Sequence, residues 1–156
     1  MMLYHGSIKE IPTPAINIGR NKLDFGRGFY VTELFEQAKI WACKRASILN
    51  GKPIISTYEI INTNGLNIHR FDGPSEEWLD FIVANRKGIR TPHNYDIIIG
   101  EMADDQVYDS INLYIREYIP KEELLRRIKM QKRNQQVCIV NQEAIQRLRF
   151  IKGECV

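Results

Sequence analysis

Cysteine is scarce in this chain of 156 residues: Cys43, Cys138 and Cys155 form no C-x-x-C pair, and the three histidines, His5, His69 and His93, stand far apart. That scarcity argues against a disulfide framework and against a structural zinc site, so no metal is expected. No apolar run approaches the roughly 20 residues that span a bilayer. Met1 to Ser7 has neither the basic start nor the apolar stretch of a secretory signal. A cytoplasmic protein without a membrane partner is the expectation. Repeats and low-complexity segments are also missing, and 44% hydrophobic against 26% charged residues is a mixture that folds rather than stays disordered. At this length a single domain over residues 1–156 is expected.

The net charge of +3 is unevenly spread, because Lys121 to Lys152 holds nine Lys or Arg against three Glu. Such a segment is either a solvated helix face or a surface for phosphate-bearing ligands.

Hydrophobic spacing gives a coarse map. Met1 to His5 reads as a strand ended by Gly6, and Ile8 to Arg27 as a long loop broken by Pro12, Pro14, Gly19 and Gly26. Loops of that length in compact domains are often functional. Phe29 to Thr32 reads as a second strand, with Thr32 placed to cap a helix carrying Leu34, Ala38, Trp41, Ala42 and Leu49 on its apolar face. Pro53 to Ile61 and Leu66 to Phe71 read as strands, with a hairpin around Asn62 to Gly65. Ser75 caps a helix that stops near Gly88, and Tyr95 to Ile99 is a buried strand. Asp104 or Asp105 caps the next helix, and Pro120 opens another with Leu124, Leu125 and Ile128 inside. Gln136 to Val140 is a late strand, Asn141 to Leu148 a short helix, and Phe150-Ile151 the end of a last strand. Strands and helices mix without a regular βαβ alternation, which favours an α+β domain.

Two segments carry chemistry. Leu3-Tyr4-His5-Gly6-Ser7 sets a histidine at a strand end beside a glycine, where a ligand can approach the backbone closely. Asp24-Phe25-Gly26-Arg27-Gly28-Phe29-Tyr30-Val31-Thr32 places two glycines one residue apart just before an aromatic strand. Considered alone, each also fits an ordinary turn or strand end.

Together they resemble the signature of the ADP-ribosyltransferase superfamily, in the His-Tyr-Glu branch shared by diphtheria-type toxins and poly-ADP-ribose polymerases. The whole chain is similar to a family of small bacterial proteins in that superfamily, often encoded beside a short antitoxin-like protein. The motifs concerned are Asp24 to Thr32, Gln37 to Ala42, Tyr95 to Asp105 and Gln136 to Val140. The resemblance implies a split mixed β-sheet with flanking helices, NAD as co-substrate, and transfer of ADP-ribose to a protein or nucleic-acid acceptor. It also implies an antitoxin-like partner. By the same resemblance His5 hydrogen-bonds the adenosine ribose, the backbone of Gly6 binds the nicotinamide amide, and Tyr30 stacks on the nicotinamide ring. Trp41, eleven residues after Tyr30, is a second aromatic that either sandwiches nicotinamide or sits in the core. Arg20 and Arg27 are candidates for the diphosphate, since guanidinium forks match phosphate oxygens.

The third signature residue of that branch is a glutamate opening a late strand; here Gln136 holds the position. Glutamine can hold a ribose hydroxyl but supplies no charge. A unit charge about 4 Å from a developing cation, at an effective dielectric near 20, is worth roughly 4 kcal/mol. The branch's polymerases also place a serine where Ala38 stands. A slow mono-ADP-ribosyltransferase, an enzyme using another carboxylate among Glu101, Asp104 and Asp105, and a module that binds NAD or ADP-ribose without turnover all stay open. Arg126, Arg127, Lys129, Lys132 and Arg133 precede Gln136 and would suit a phosphate-bearing acceptor. An RNA 2′-phosphotransferase shares the fold, but its arginine motifs are not visible.

Overall fold

A computed structural model describes residues 1–16, 22–89, 91–130 and 134–156. The first sheet runs in the order β1 (Met2–Ser7), β3 (Ile54–Ile60), β7 (Leu148–Cys155), all antiparallel. The second runs β2 (Phe29–Val31), β6 (Gln135–Ile139), β5 (Ile97–Glu101), β4 (Ile68–Arg70). Among the described strands only β4 and β5 pair in parallel, joined through α2 (Glu76–Arg86). The fold is α+β, as the irregular alternation predicts.

Three packed layers of apolar side chains hold these elements. Leu3, Phe29, Val31, Tyr58, Ile97, Ile99, Val137 and Ile139 fill the space between the sheets. On the far face of the second sheet, Ile98 and Cys138 meet Trp78, Leu79 and Ile82 of α2, Val107 and Ile111 of α3 (Asp105–Ile115), and Leu124 and Ile128 of α4 (Lys121–Lys129). Ile97, Ile98 and Ile99 are thus buried on both faces, which is why β5 reads as an unbroken apolar run. A short α5 (Gln142–Ile145) adds Ala144 and Ile145 between the sheets. On the outer face of the first sheet lies α1 (Phe35–Leu49), which contributes Ala38 and Ala42 against Ile55.

Four local expectations need correction. The hairpin between β3 and β4 does not form: both edges of β3 are taken by β1 and β7, and β4 pairs with β5 in the other sheet. Thr32 is not the cap residue of α1. Leu34 holds that position, and the Thr32 hydroxyl accepts from Leu34 N–H at 3.1 Å while donating to the Gln135 carbonyl at 3.1 Å. The buried stripe of α1 is Gln37, Ala38, Ala42 and Ala46, so Leu34, Trp41 and Leu49 are exposed. Gly6 explains this choice of small residues. It lies inside β1 rather than ending it, and a Cβ there would fall 2.2 Å from the Ala38 carbonyl oxygen and 2.8 Å from Ala42 N. The helix therefore sits directly on the strand backbone.

Candidate functional site

Among the described residues, the two sheets meet through one backbone pair. Tyr4 N–H donates to the Thr32 carbonyl at 2.8 Å, and Thr32 N–H returns to the Tyr4 carbonyl at 2.9 Å. In that antiparallel register the next pair would join Gly6 to Tyr30, but the bridge stops at Tyr4 and Thr32. The Tyr30 carbonyl accepts instead from His5 Nδ1–H at 2.7 Å. A side chain has taken the acceptor that would have continued the ladder, and the seam opens there. Alternation along β1 points the N–H and C=O of Gly6 the same way as those of Tyr4, away from β3 and into the opening.

That hydrogen bond also fixes the His5 tautomer, since a carbonyl can only accept. The ring is stacked on Phe29 at 4.8 Å, and burial pulls its pKa below 6.5, with the Arg45 charge pulling the same way against the opposing bond to Tyr30. A neutral ring with Nδ1–H leaves Nε2 as an acceptor suited to a hydroxyl.

Tyr30 faces the helical side of the second sheet, beside its cross-strand partner Cys138. Its hydroxyl accepts from Phe25 N–H at 3.1 Å and donates to the Gly26 carbonyl at 2.6 Å, closing the turn that leads into β2. Burial pushes the phenol pKa far up and raises the Cys138 thiol to about 12. Neither is a nucleophile at neutral pH.

The turn places Asp24 in the interior. Its Oδ1 accepts from Arg86 Nε at 2.8 Å and pairs with Arg86 Nη2. Its Oδ2 accepts from Ala103 N–H at 3.0 Å and from Gln136 Nε2 at 3.0 Å. Arg86 also lies over the Tyr108 ring, with Cζ 4.1 Å from the centroid. Asp24 and Gln136 are each 7% exposed, so this network lies almost wholly out of water.

On the opposite face of β6, the Gln135 amide bridges Glu33 Oε2 at 2.9 Å and Arg70 Nη1 at 2.8 Å in its satisfied orientation. Gln37 clamps the Gln135 backbone from α1, donating to its carbonyl at 2.7 Å and accepting from its N–H at 3.2 Å. The ends of β4, β5 and β6 thus share a polar rim. A cleft of about 180 Å³ there is lined by Arg70, Glu101, Asn134 and Gln135, and a second of about 330 Å³ beyond it by Ser75, Trp78, Glu101 and Lys129. Neither cleft is lined by His5, Tyr30 or Trp41.

The sequence-derived candidates separate into groups. His5, Gly6, Tyr30 and Gln136 fall on three neighbouring strands, β1, β2 and β6. Trp41 is 41% exposed on α1, with Lys44 Nζ 5.9 Å from its ring centroid, so the core reading of Trp41 is corrected. Arg27 is exposed on the turn. Asp104 caps α3 by accepting from Gln106 and Val107 N–H, and Asp105 pairs with Lys44 at 3.0 Å. Glu101 contributes its carbonyl to Trp78 Nε1 at 2.9 Å and lines both clefts. Arg20 and Arg133 lie outside the described residues. Sequence reasoning missed Asp24, Arg86, Glu33, Gln37 and Arg70. Asp24 and Gln37 each open a segment that carries the resemblance, whereas nothing local marks Arg86, Glu33 or Arg70.

Among the described residues, no group of three or more His, Cys, Asp or Glu is placed to hold a metal ion, and no helix is long and apolar enough to cross a membrane. No curated protein and no solved structure matches the chain. The model of one family, described as a protein of unknown function (DUF3990), matches residues 1–150. The chain therefore belongs to the DUF3990 family.

Proposed function

We propose that this protein is an NAD-dependent mono-ADP-ribosyltransferase whose site lies at the opened seam between β1 and β2. The observation that carries the reading is the interruption of the β1–β2 ladder by His5, which exposes the Gly6 backbone beside Tyr30 with Gln136 on the adjoining strand. An outward N–H and C=O pair on Gly6 matches a carboxamide, which is itself one donor and one acceptor group. His5 Nε2 supplies an acceptor for a ribose hydroxyl. Gln136 orients the nicotinamide ribose while an acceptor nucleophile attacks its anomeric carbon and nicotinamide leaves. In this reading the protein acts in the cytoplasm as a toxin-like enzyme restrained by a small antitoxin-like partner.

Labelled NAD incubated with the protein and a cell lysate should transfer label to macromolecules. Protease and nuclease digestion of the product would then assign the acceptor as protein or nucleic acid. NAD binding without transferred label would remove the enzyme and leave the second reading, a module that binds NAD or ADP-ribose without turnover. That reading is favoured by the Asp24–Arg86 pair beside Gln136, whose opposite charges offset one another.

A further inference from the structure

We propose that Asp24 is the positioning residue of this site: it fixes the Gln136 amide so that Oε1, not Nε2, is presented to a ligand hydroxyl. The inference rests on the functional reading above for the ligand, and on the network alone for the positioning. Gln136 Nε2 meets two acceptors, Asp24 Oδ2 at 3.0 Å and the Glu101 carbonyl at 3.4 Å. A carboxylate and a carbonyl cannot donate to an amide oxygen, so the side chain has one satisfied orientation. Oε1 enters no hydrogen bond among the described residues, and it is not among their buried side-chain atoms left without a partner. It is the end left for a ligand.

Asp24 is itself over-determined. Arg86 and the Ala103 N–H hold its two oxygens from α2 and from the segment after β5, and the Tyr30 hydroxyl closes the turn that delivers it. An amide whose N–H donates to an anion has a more polarised carbonyl, because linked hydrogen bonds strengthen one another. Gln136 with Asp24 behind it therefore presents an acceptor stronger than an isolated glutamine. The carboxylate acts through the amide instead of touching the ligand. The same geometry explains the glutamine: a glutamate at 136 would set a second carboxylate about 3.0 Å from Asp24 Oδ2, where like charges resist joint ionisation.

The test uses the full chain as wild type, Asp24→Asn, Gln136→Glu and the double variant that moves the charge from position 24 to 136. Because Asp24→Asn leaves Arg86 unpaired, Asp24→Asn/Arg86→Met is made beside it with the same expectations. Binding of NAD and of its analogue lacking the 2′-hydroxyl on the nicotinamide ribose is measured by calorimetry. Wild type should prefer NAD by about tenfold, the worth of one hydrogen bond to a polarised acceptor. Asp24→Asn and Gln136→Glu should lose that preference, and the double variant should regain it. In the ligand-free protein, the Gln136 side-chain amide resonances should shift upon Asp24→Asn. Retained hydroxyl preference in Asp24→Asn, or a double variant no better than the singles, overturns the inference while NAD binding stands. Unmoved amide resonances overturn it whatever the ligand. If wild type binds no NAD but the resonances shift, the functional reading and the ligand half fall, and Asp24 remains only the residue that orients Gln136.

Discussion

At the scale of single residues, the two glycines of the turn before β2 serve different needs. Gly26 has φ +77°, a conformation that costs an L-residue about 1–2 kcal/mol. Gly28 is set by space: a Cβ there would stand 2.4 Å from Cys138 Sγ and 2.7 Å from the Ile139 carbonyl oxygen. Gly26→Ala and Gly28→Ala should each lower stability, the second by about 2 kcal/mol as an overpacked core does. Cys138→Ala should rescue Gly28→Ala in part and Gly26→Ala not at all, as read from urea midpoints. His5 makes a separate prediction. Burial holds its folded pKa below the ordinary 6.5, so below that pH the unfolded chain binds the additional proton and stability falls as pH falls. His93 is lowered in the same direction by burial and by His69. His5→Gln should therefore flatten, without abolishing, the loss of stability between neutral pH and pH 5. An unchanged slope would mean that His5 is not buried as described. The two segments that hold His5 with Gly6 and Tyr30 were legible because each is contiguous in the chain, although 25 residues separate His5 from Tyr30. Asp24 and Gln136 were not legible as partners, because 112 residues separate them in the chain.

At the scale of elements, caps were legible and strand pairings were not. Ser75 and Asp104 accept from N–H groups two or three residues on, so their role is written in the local sequence. The partners of β3 and β4 are chosen by distant strands, which local alternation does not encode. For α1 the sequence misleads in an instructive way, since Ile40, Trp41, Ile48 and Leu49 face outward and its alanines face in. Contact with Gly6 requires a small-residue stripe, and that leaves Trp41 free for a ligand or partner. Trp41→Ala should therefore change stability by less than about 1 kcal/mol, as surface substitutions do. If the ring covers nicotinamide, the same variant should weaken NAD binding by about tenfold, within the range of a lost stacking contact. Unaltered affinity would take Trp41 out of the site.

At the scale of the whole molecule, described cations of the basic C-terminal stretch pair with acids both on other elements and within the stretch itself. Lys121 meets Glu76 at 2.7 Å and Asp80 at 2.9 Å, and Arg149 pairs with Glu59. Arg126 and Arg127 both bond Glu123, holding its carboxyl down to about 2. The solvated-face reading of this segment thus fits its described part better than a phosphate-binding one. The sheets themselves are unequal in how they are tied. β5 and β6 share five paired positions inside two apolar layers, whereas β1 and β2 share the single Tyr4–Thr32 bridge and the His5–Tyr30 bond. Local opening follows the weakest backbone connection, so amides of Tyr4 and Thr32 should exchange with deuterium well before those of Ile97 to Ile99 and Val137 to Ile139. A ligand bridging Gly6, Tyr30 and Gln136 would stabilise both sides of that seam together, by an amount that grows with its concentration over its dissociation constant. Saturating NAD should then slow exchange at Tyr4, Gly6 and Thr32 while leaving the outer strands β4 and β7 as they were. Slowing confined to the rim around Arg70, Glu101 and Gln135 would move the ligand to the cleft at the ends of β4 and β5 and away from His5.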